Sequence, residues 1–546
     1  MNSIKFLKKN KSWILLFLFI IFLEITTFYW IKLDTGPPWW DQAWYLENSQ
    51  RFYYVLKEQG FSSLGKEVVS VFQIKPPLIS LLPLPFYFIF GNTEMAAMGV
   101  NLFFIPVFCI FLFLLVKKII GEKEALLAVL FTSTMPLVYG LSRQFLVEYS
   151  LMAIVVLWLY LLIQSDYFQK PIYNLLLGIF LGLGLLLRVY FPLFILGPFL
   201  VILYGRLKKG RLFGLATNLG IIFLLAAFIT YPWYSQNISA AFQYAISASW
   251  GAISKRYSYG NIFSFQTVST YWGMMINEAI STYYFLLFSV LFLIFIWFLI
   301  VKKRQIKFST PFYFVISWFL IPFFLFTFAQ NKSTNHPLPI LPPIGIMGSV
   351  LFFKVFNKRA IFVLPFTLLF PIFLFFYISY PLKFIPNMEL SFYRFHLLAK
   401  KLAWFTALPE QGNWPHNEII DLIINDWKYQ TSPFVLIGNY QYFNPVNFNY
   451  YASLKRVSIK FDEIGCLKET NGFEIIKNRT LGADYLITKT GDQGSEEFNC
   501  FNKDIQKALD EGELPFIKIY ETDLPDNSQA FVYKNLSKIP TNNLKP

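Results

Sequence analysis

Apolar stretches of roughly 16–22 residues recur from Trp13 to Tyr380, each about the length that carries a helix across a bilayer. Hydrocarbon admits only segments that satisfy their own backbone, so this part of the chain is restricted to membrane helices. The 55% share of hydrophobic residues agrees, being well above that of a soluble chain. How the helices thread follows from the basic residues, which accumulate on the cytoplasmic side of short loops.

Lys5, Lys8, Lys9 and Lys11 precede the first run, Trp13–Ile31. No small-residue cleavage site follows it, and Tyr29, Trp30, Trp39 and Trp40 read as an aromatic belt at the far interface. It is therefore expected to be a span with a cytoplasmic N-terminus. Residues 33–94 then form a long outer loop, provided that Lys75–Phe90 does not cross. Pro76, Pro77, Pro83 and Pro85 would remove hydrogen bonds from a lipid-exposed helix, which suits an interfacial or re-entrant element. With that choice Met95–Val116 returns inward and delivers Lys117, Lys118 and Lys123 to the cytoplasm. Further crossings are expected at Ala125–Gly140, Tyr149–Ile163, Ile172–Leu187, Tyr190–Tyr204, Leu212–Thr230, Tyr283–Ile300, Phe312–Phe328, Ile340–Phe353 and Ile361–Tyr380. They leave Lys170, then Arg206, Lys208, Lys209 and Arg211, then Lys302, Lys303, Arg304 and Lys307, then Lys354, Lys358 and Arg359 inside. The total is about 11 crossings, with a long external loop at Tyr231–Thr282; making the Pro-rich segment a span would reverse every basic cluster.

The fold class expected is an all-α polytopic membrane domain, residues 1–380, followed by a small extracytoplasmic α/β domain, residues 381–546. In the tail polar residues return, and Phe434–Ile437 and Tyr485–Thr488 read as short strands. Cys466 and Cys500 share it and would pair in an oxidising compartment if the fold brings them together. The net charge of +15 is largely topology signal and requires no nucleic-acid partner, although it also suits anionic lipid.

Several polar residues fall on the outer face in this threading. Asp41 sits in Trp39-Trp40-Asp41-Gln42-Ala43-Trp44-Tyr45; partly desolvated among aromatic rings, it would make a general base, and otherwise it is a solvated loop aspartate. Lys75, stiffened by Pro76 and Pro77, is either a fixed phosphate partner or a snorkelling lysine. Arg143 and Glu148 open the next outer loop, where the arginine could bind phosphate and the glutamate a sugar or a basic group, unless they pair with each other. Arg188, between two apolar runs, is costly without a partner or a headgroup. Lys332 and His336 lie in a compact polar turn, either as ligands for an anion or as a plain connection. No metal-ligand spacing, Walker loop or Rossmann fingerprint occurs. No cofactor is expected, and ligand spacing gives no support for a divalent metal.

An Asp after the first span, Lys75-Pro76-Pro77-Leu78 in the first outer loop, Ser142-Arg143-Gln144-Phe145-Leu146-Val147-Glu148 before a later span, and the basic turn from Lys332 to Pro343 together resemble the GT-C glycosyltransferases. The most similar branch holds the protein O-mannosyltransferases and lipid A aminoarabinose transferases, the glycosyltransferase family 39-like enzymes. The resemblance covers about Trp13–Phe353. It implies a polyprenyl-phosphate sugar donor used at the outer leaflet of the plasma or inner membrane, with inversion. Asp41 would match the catalytic carboxylate, and Lys75, Arg143 and Arg188 would be candidates for the donor phosphate; the chemistry of the residues adds Lys332 and His336 to that cationic set, with Glu148, Trp40 and Tyr45 expected near substrate. The implied partners are the donor, membrane lipid and an acceptor lipid, protein or glycan. Gln42, Ile74, Glu148 and His336-Pro337 depart from the family pattern.

A lipid or polysaccharide transporter or flippase is the rival class, but it should show internal repeats, and none is evident. A polysaccharide polymerase or ligase remains open through Lys255-Arg256 in the long external loop. The threading has a direct check. A cysteine introduced beside residue 41 should react with an impermeant maleimide on intact cells, and one near residue 119 only after permeabilisation; equal reaction of both would overturn it.

Overall fold

The computed structural model describes residues 10–538 except 72, 211–212, 256, 259, 303–308, 383–384, 401, 403, 428–430 and 467–470. Lys5, Lys8, Lys9, Arg211, Arg256, Lys303, Arg304 and Lys307 lie outside the described residues.

Every apolar run expected to cross is helical, and the ends differ by a few residues. Among the described residues eight helical stretches are long and apolar enough to span a bilayer. The last of them, Leu338–Ser379, contains two helices, Leu341–Phe356 and Ala360–Ser379, joined by a turn at Asn357–Arg359. Pro171–Leu187 is apolar but shorter. Two expectations need correction. Ala125–Gly140 is broken into Glu122–Ser133 and Pro136–Leu141, with Pro136 at the first position of the second helix, where a proline is readily accepted. The helix of the Leu212–Thr230 run does not stop at Thr230; it runs from Leu215 through Pro232 to Trp250, into the stretch expected as a long external loop. At 1.5 Å per residue that is about 54 Å, well beyond the hydrocarbon thickness.

The Pro-rich segment forms two short helices, Leu78–Leu81 and Leu84–Phe90, with Pro83 as N-cap of the second and Gly91 (φ 86°) ending it. Together they span only about 20 Å at helical rise, short of a crossing.

The chain divides into two compact units, and the division differs from 1–380 and 381–546. One unit holds residues 1–32 and 61–408; the other holds 33–60 and 409–546. Residues 381–408 join the membrane unit through a hairpin, Leu390–Phe392 (β1) with Phe395–Leu398 (β2). Asn277 anchors it, donating from Nδ2 to the Arg394 carbonyl (2.8 Å) and accepting the His396 N–H (3.0 Å). Leu398 and Leu402 pack on Leu374 and Ile378 of the last membrane helix.

Residues 33–60 join the other unit for local reasons. The Thr35 N–H donates to the Glu410 carbonyl (2.8 Å), and the chains approach so closely that a Cβ on Gly36 would lie 2.7 Å from that of Glu410. The helix that begins at Trp40 kinks at Gly60, whose φ of 82° strongly favours glycine, and that is where the chain passes to the membrane unit. Before the kink, Arg456 Nη2 lies 2.7 Å from Glu58 Oε1 and its guanidinium lies 3.8 Å from the Tyr54 ring centre.

The C-terminal part is an α/β fold. Phe434–Ile437 (β3), Lys460–Glu463 (β4), Tyr485–Lys489 (β5), Phe516–Asp523 (β6) and Gln529–Asn535 (β7) form one sheet in the order β4-β3-β5-β7-β6. β3 is parallel to β4 and β5, and β7 is antiparallel to both β5 and β6. The unbroken Phe-Val-Leu-Ile of β3 is what a strand covered on both faces requires. Val435 and Ile437 enter a core with Ile419, Ile420 and Phe448, while Leu436 enters another with Ile476, Leu486 and Ile505. Alternation of successive side chains thus builds two layers on one strand.

A disulfide joins Cys466 to Cys500 across 34 residues. Closing a loop of that size restricts the unfolded chain and contributes about 2–4 kcal/mol. Cys466→Ser should lower the unfolding midpoint of the purified full-length protein, and reductant should lower the wild type equally; an unchanged midpoint in both would argue that the bond adds no stability.

Candidate active site

In the membrane unit, helix ends determine where charge can sit. Glu148 lies in the first turn of the helix Val147–Gln164, and Arg188 caps the C-terminus of Pro171–Leu187 in an extended conformation. Each sign complements its helix dipole. The two meet: Arg188 Nη2 donates to Glu148 Oε1 at 2.8 Å, with the glutamate fully buried. Losing one partner from such a pair costs about 3–5 kcal/mol, because the other charge is left stranded. The expected alternative of Arg143 pairing with Glu148 is not what forms. Beyond the pair, the Arg188 guanidinium lies 5.7 Å from the Tyr190 ring centre, and Tyr190 meets the His336 ring edge-on at 6.0 Å. Glu148, Arg188 and His336 are therefore linked through one tyrosine.

Arg143 is placed differently. Its Nη1 donates to Ser379 Oγ at 2.6 Å, and its guanidinium lies within 5.7 Å of the rings of Trp30, Tyr139, Phe375 and Tyr380. It ties the first and last membrane helices to the turn before Glu148. That turn is held by Asn101, a residue sequence reasoning passed over: its Nδ2 donates to the carbonyls of Ser142 (3.2 Å) and Gln144 (2.7 Å). A single asparagine in a long apolar run was the available signal.

Lys332 is also engaged. Its Nζ donates to the Thr327 carbonyl (2.6 Å) at the end of the helix Thr310–Phe328, and the Tyr271 ring lies 5.0 Å away. Burial lowers its pKa to about 8. Next to it in sequence, Thr334 donates to Glu278 Oε2 (3.0 Å), and burial raises that carboxyl to about 7. Glu278 lies in a π-helical turn, Met275–Ile280, a distortion often found at functional sites; it was not anticipated.

Lys75 is buried, 7% exposed, with its ammonium 5.9 Å from the Tyr244 ring. Three residues later the chain enters a groove of about 570 Å³ lined only by apolar residues, among them Leu78, Leu82, Phe103, Phe111, Leu157 and Leu187. Leu187 immediately precedes Arg188. Two cations, Lys75 and Arg188, thus lie three residues and one residue in sequence from residues that line one apolar groove.

The other unit carries Trp40, Asp41 and Tyr45. Asp41 lies in the first turn of its helix and is exposed, so the tryptophans on either side do not bury it as expected. A carboxylate there is instead favoured by the helix N-terminus. Trp40 Nε1 donates to Asn439 Oδ1 (2.6 Å), and Tyr45 is fully buried. The desolvated acid is Asp34, seven residues earlier. Burial raises its pKa to about 7, although its Oδ1 accepts the Glu410 N–H at 2.9 Å. Among the described residues no group of three His, Cys, Asp or Glu is placed to hold a metal ion.

Residues 74–234 match the family model described as dolichyl-phosphate-mannose-protein mannosyltransferase. The fold is shared with the GT-C membrane glycosyltransferases. Among solved structures, ArnT from Cupriavidus metallidurans in the apo state is 12% identical with a TM-score of 0.55, covering 96% of this chain and 98% of that one. The same protein bound to undecaprenyl phosphate gives 13% and 0.52, covering 94% and 97%. The archaeal oligosaccharyltransferase AglB from Archaeoglobus fulgidus, in complex with an inhibitory peptide and a dolichol-phosphate, gives 11% and 0.54, covering 98% and 75%. No curated protein matches the sequence.

The pH dependence of stability follows from Asp34. Its carboxyl keeps in the folded state a proton that the unfolded chain releases near 3.8. This contribution to stability is complete below 3.8 and is lost as pH rises through about 7. Glu47, likewise raised to about 7 by burial, acts in the same direction. Asp34→Asn should therefore flatten part of the decline in unfolding midpoint across that window; an unaltered profile would show that Asp34 titrates normally.

Proposed function

We propose that this integral membrane protein transfers a sugar from a polyprenyl-phosphate donor to an acceptor lipid, protein or glycan on the outer face of the membrane. The observation that carries the reading is the apolar groove whose lining residues Leu78 and Leu187 lie close in sequence to Lys75 and Arg188, because an isoprenoid phosphate combines a hydrocarbon tail with a compact anion. Solved proteins of the same fold hold undecaprenyl phosphate or dolichol-phosphate, by their descriptions. The positive-inside pattern and the Cys466–Cys500 disulfide, a bond of oxidising compartments, support an outer-face reaction.

Asp41 acts as general base, taking the proton of the acceptor hydroxyl as its oxygen attacks the anomeric carbon. The bond from that carbon to the phosphate oxygen breaks, and polyprenyl phosphate leaves with one more negative charge than it carried as a diester. Lys75 and Arg188 stabilise that charge; one preorganised donor of this kind lowers a barrier by about 2.7–4 kcal/mol. A single displacement inverts the anomeric centre. Glu148 orients Arg188, and His336 reaches the same cluster through Tyr190. Arg143 braces the helices and Lys332 closes a helix end, so neither is needed at the phosphate.

Transfer can be followed with purified protein in lipid and labelled polyprenyl-phosphate sugars. Asp41→Asn should abolish it while leaving membrane insertion intact, and Lys75→Ala should weaken donor binding about tenfold, the effect of losing ~1.4 kcal/mol. Full activity in Asp41→Asn, with loss in Asp34→Asn, would move the base to Asp34.

A further inference from the structure

A second site lies in the α/β unit, where the parallel strands end. β3 runs to Ile437 and β5 to Lys489, side by side, but their helical connections leave on opposite faces of the sheet. Phe448 of the helix Pro445–Leu454, which follows β3, packs in one core, and Ile505 of Asn502–Asp510, which follows β5, in the other. Between two such strands the outgoing loops diverge and leave a crevice beyond their carboxyl ends. Here the crevice is a cavity of about 320 Å³, bounded by the loops after β3 and β5 and by the start of the helix Asn502–Asp510.

Two of its lining residues each keep a buried side-chain oxygen that has no partner among the described residues. Thr488 and Asn502 are each 7% exposed, and neither Thr488 Oγ1 nor Asn502 Oδ1 has a hydrogen-bond partner. The Asn502 amide is oriented by its other end, since Nδ2 donates to Asn499 Oδ1 (3.0 Å) and Gln493 Oε1 (3.3 Å). A buried acceptor left unpaired costs about 1–3 kcal/mol, and two beside one cavity call for a ligand that supplies O–H groups. The cationic side chain at this depth is already used. Lys489 donates to Asp526 Oδ2 (2.7 Å) and to the Asp492 carbonyl (2.7 Å), and lies 4.3 Å from the Tyr440 ring centre. Lys503 and Lys507 also line the cavity but are exposed, so among the described residues no bare positive charge lies in its interior. The floor is apolar, from Ile437, Phe443 and Ile487.

We infer that the cavity at the carboxyl ends of β3 and β5 binds a saccharide unit: its hydroxyls would satisfy Thr488 and Asn502, and its C–H face would lie on the apolar floor. The residues are separate from those assigned to donor chemistry, so the site stands or falls independently of that assignment. For a glycosyltransferase it would hold the acceptor glycan or a product, and in that respect alone it rests on the proposed function.

The experiment uses the full-length protein in lipid nanodiscs, since a glycoside detergent would compete. Saturation-transfer NMR is recorded with methyl glycosides of common hexoses, of an N-acetylhexosamine and of a uronic acid, with inorganic phosphate as control. At least one glycoside should receive saturation. Thr488→Val should weaken that binding about tenfold, as expected for one lost hydrogen bond in a small ligand, without lowering the unfolding midpoint, because the hydroxyl has no partner in the protein. Asn502→Leu should weaken it at least as much, whereas Asp41→Asn and Lys75→Ala should preserve it. Binding of no glycoside, binding indifferent to Thr488→Val, or binding of phosphate alone would overturn the inference. Transfer lost in Asp41→Asn with glycoside binding intact would separate the two sites.

Discussion

A bilayer tolerates neither an unpaired backbone group nor an unpaired charge, and the buried pair Glu148–Arg188 shows how this chain meets both demands. Helices satisfy the backbone, and each helix end then offers a partial charge of known sign. Glu148 occupies an N-terminus and Arg188 a C-terminus, so each ion is stabilised by its own helix before it meets the other. The contact between them at 2.8 Å is what permits a guanidinium to remain charged close to a hydrocarbon-lined groove.

The same demand divides the remaining cations by use. Arg143 is surrounded by four aromatic rings and bound to Ser379, which makes it a brace between helices. Lys332 closes the end of a membrane helix through the Thr327 carbonyl. Lys75 and Arg188 adjoin residues that line the apolar groove, and that placement suits the head of a lipid phosphate. Residue type alone could not separate these roles, because an arginine that braces and an arginine that binds a ligand look alike in sequence. What separates them is which distant side chains and carbonyls each cation meets in the folded chain.

The α/β unit obeys a different constraint. A strand covered on both faces must be apolar throughout, and Phe434–Ile437 is. Once such strands run parallel, their connections leave a crevice at one end whatever the sequence of the loops. The unpaired oxygens of Thr488 and Asn502 then give that crevice a chemical character that the fold does not impose.

Much was legible in the residues. The helical runs were, since length and hydropathy decide membrane insertion locally. So were β3 and β5, the absence of a full-length helix at Pro76–Pro85, and the presence of candidate acids and cations near the helix ends. The resemblance to GT-C enzymes rested on four short motifs and agrees with the fold. Tertiary structure alone decided the rest. It paired Glu148 with Arg188 across 40 residues instead of with Arg143 across five, drew residues 33–60 into the C-terminal unit, and left Asp41 exposed while desolvating the carboxyl of the half-buried Asp34. The physical reason is range: insertion and helix formation depend on neighbours within a turn or two, whereas burial and pairing depend on which distant surfaces close over a side chain.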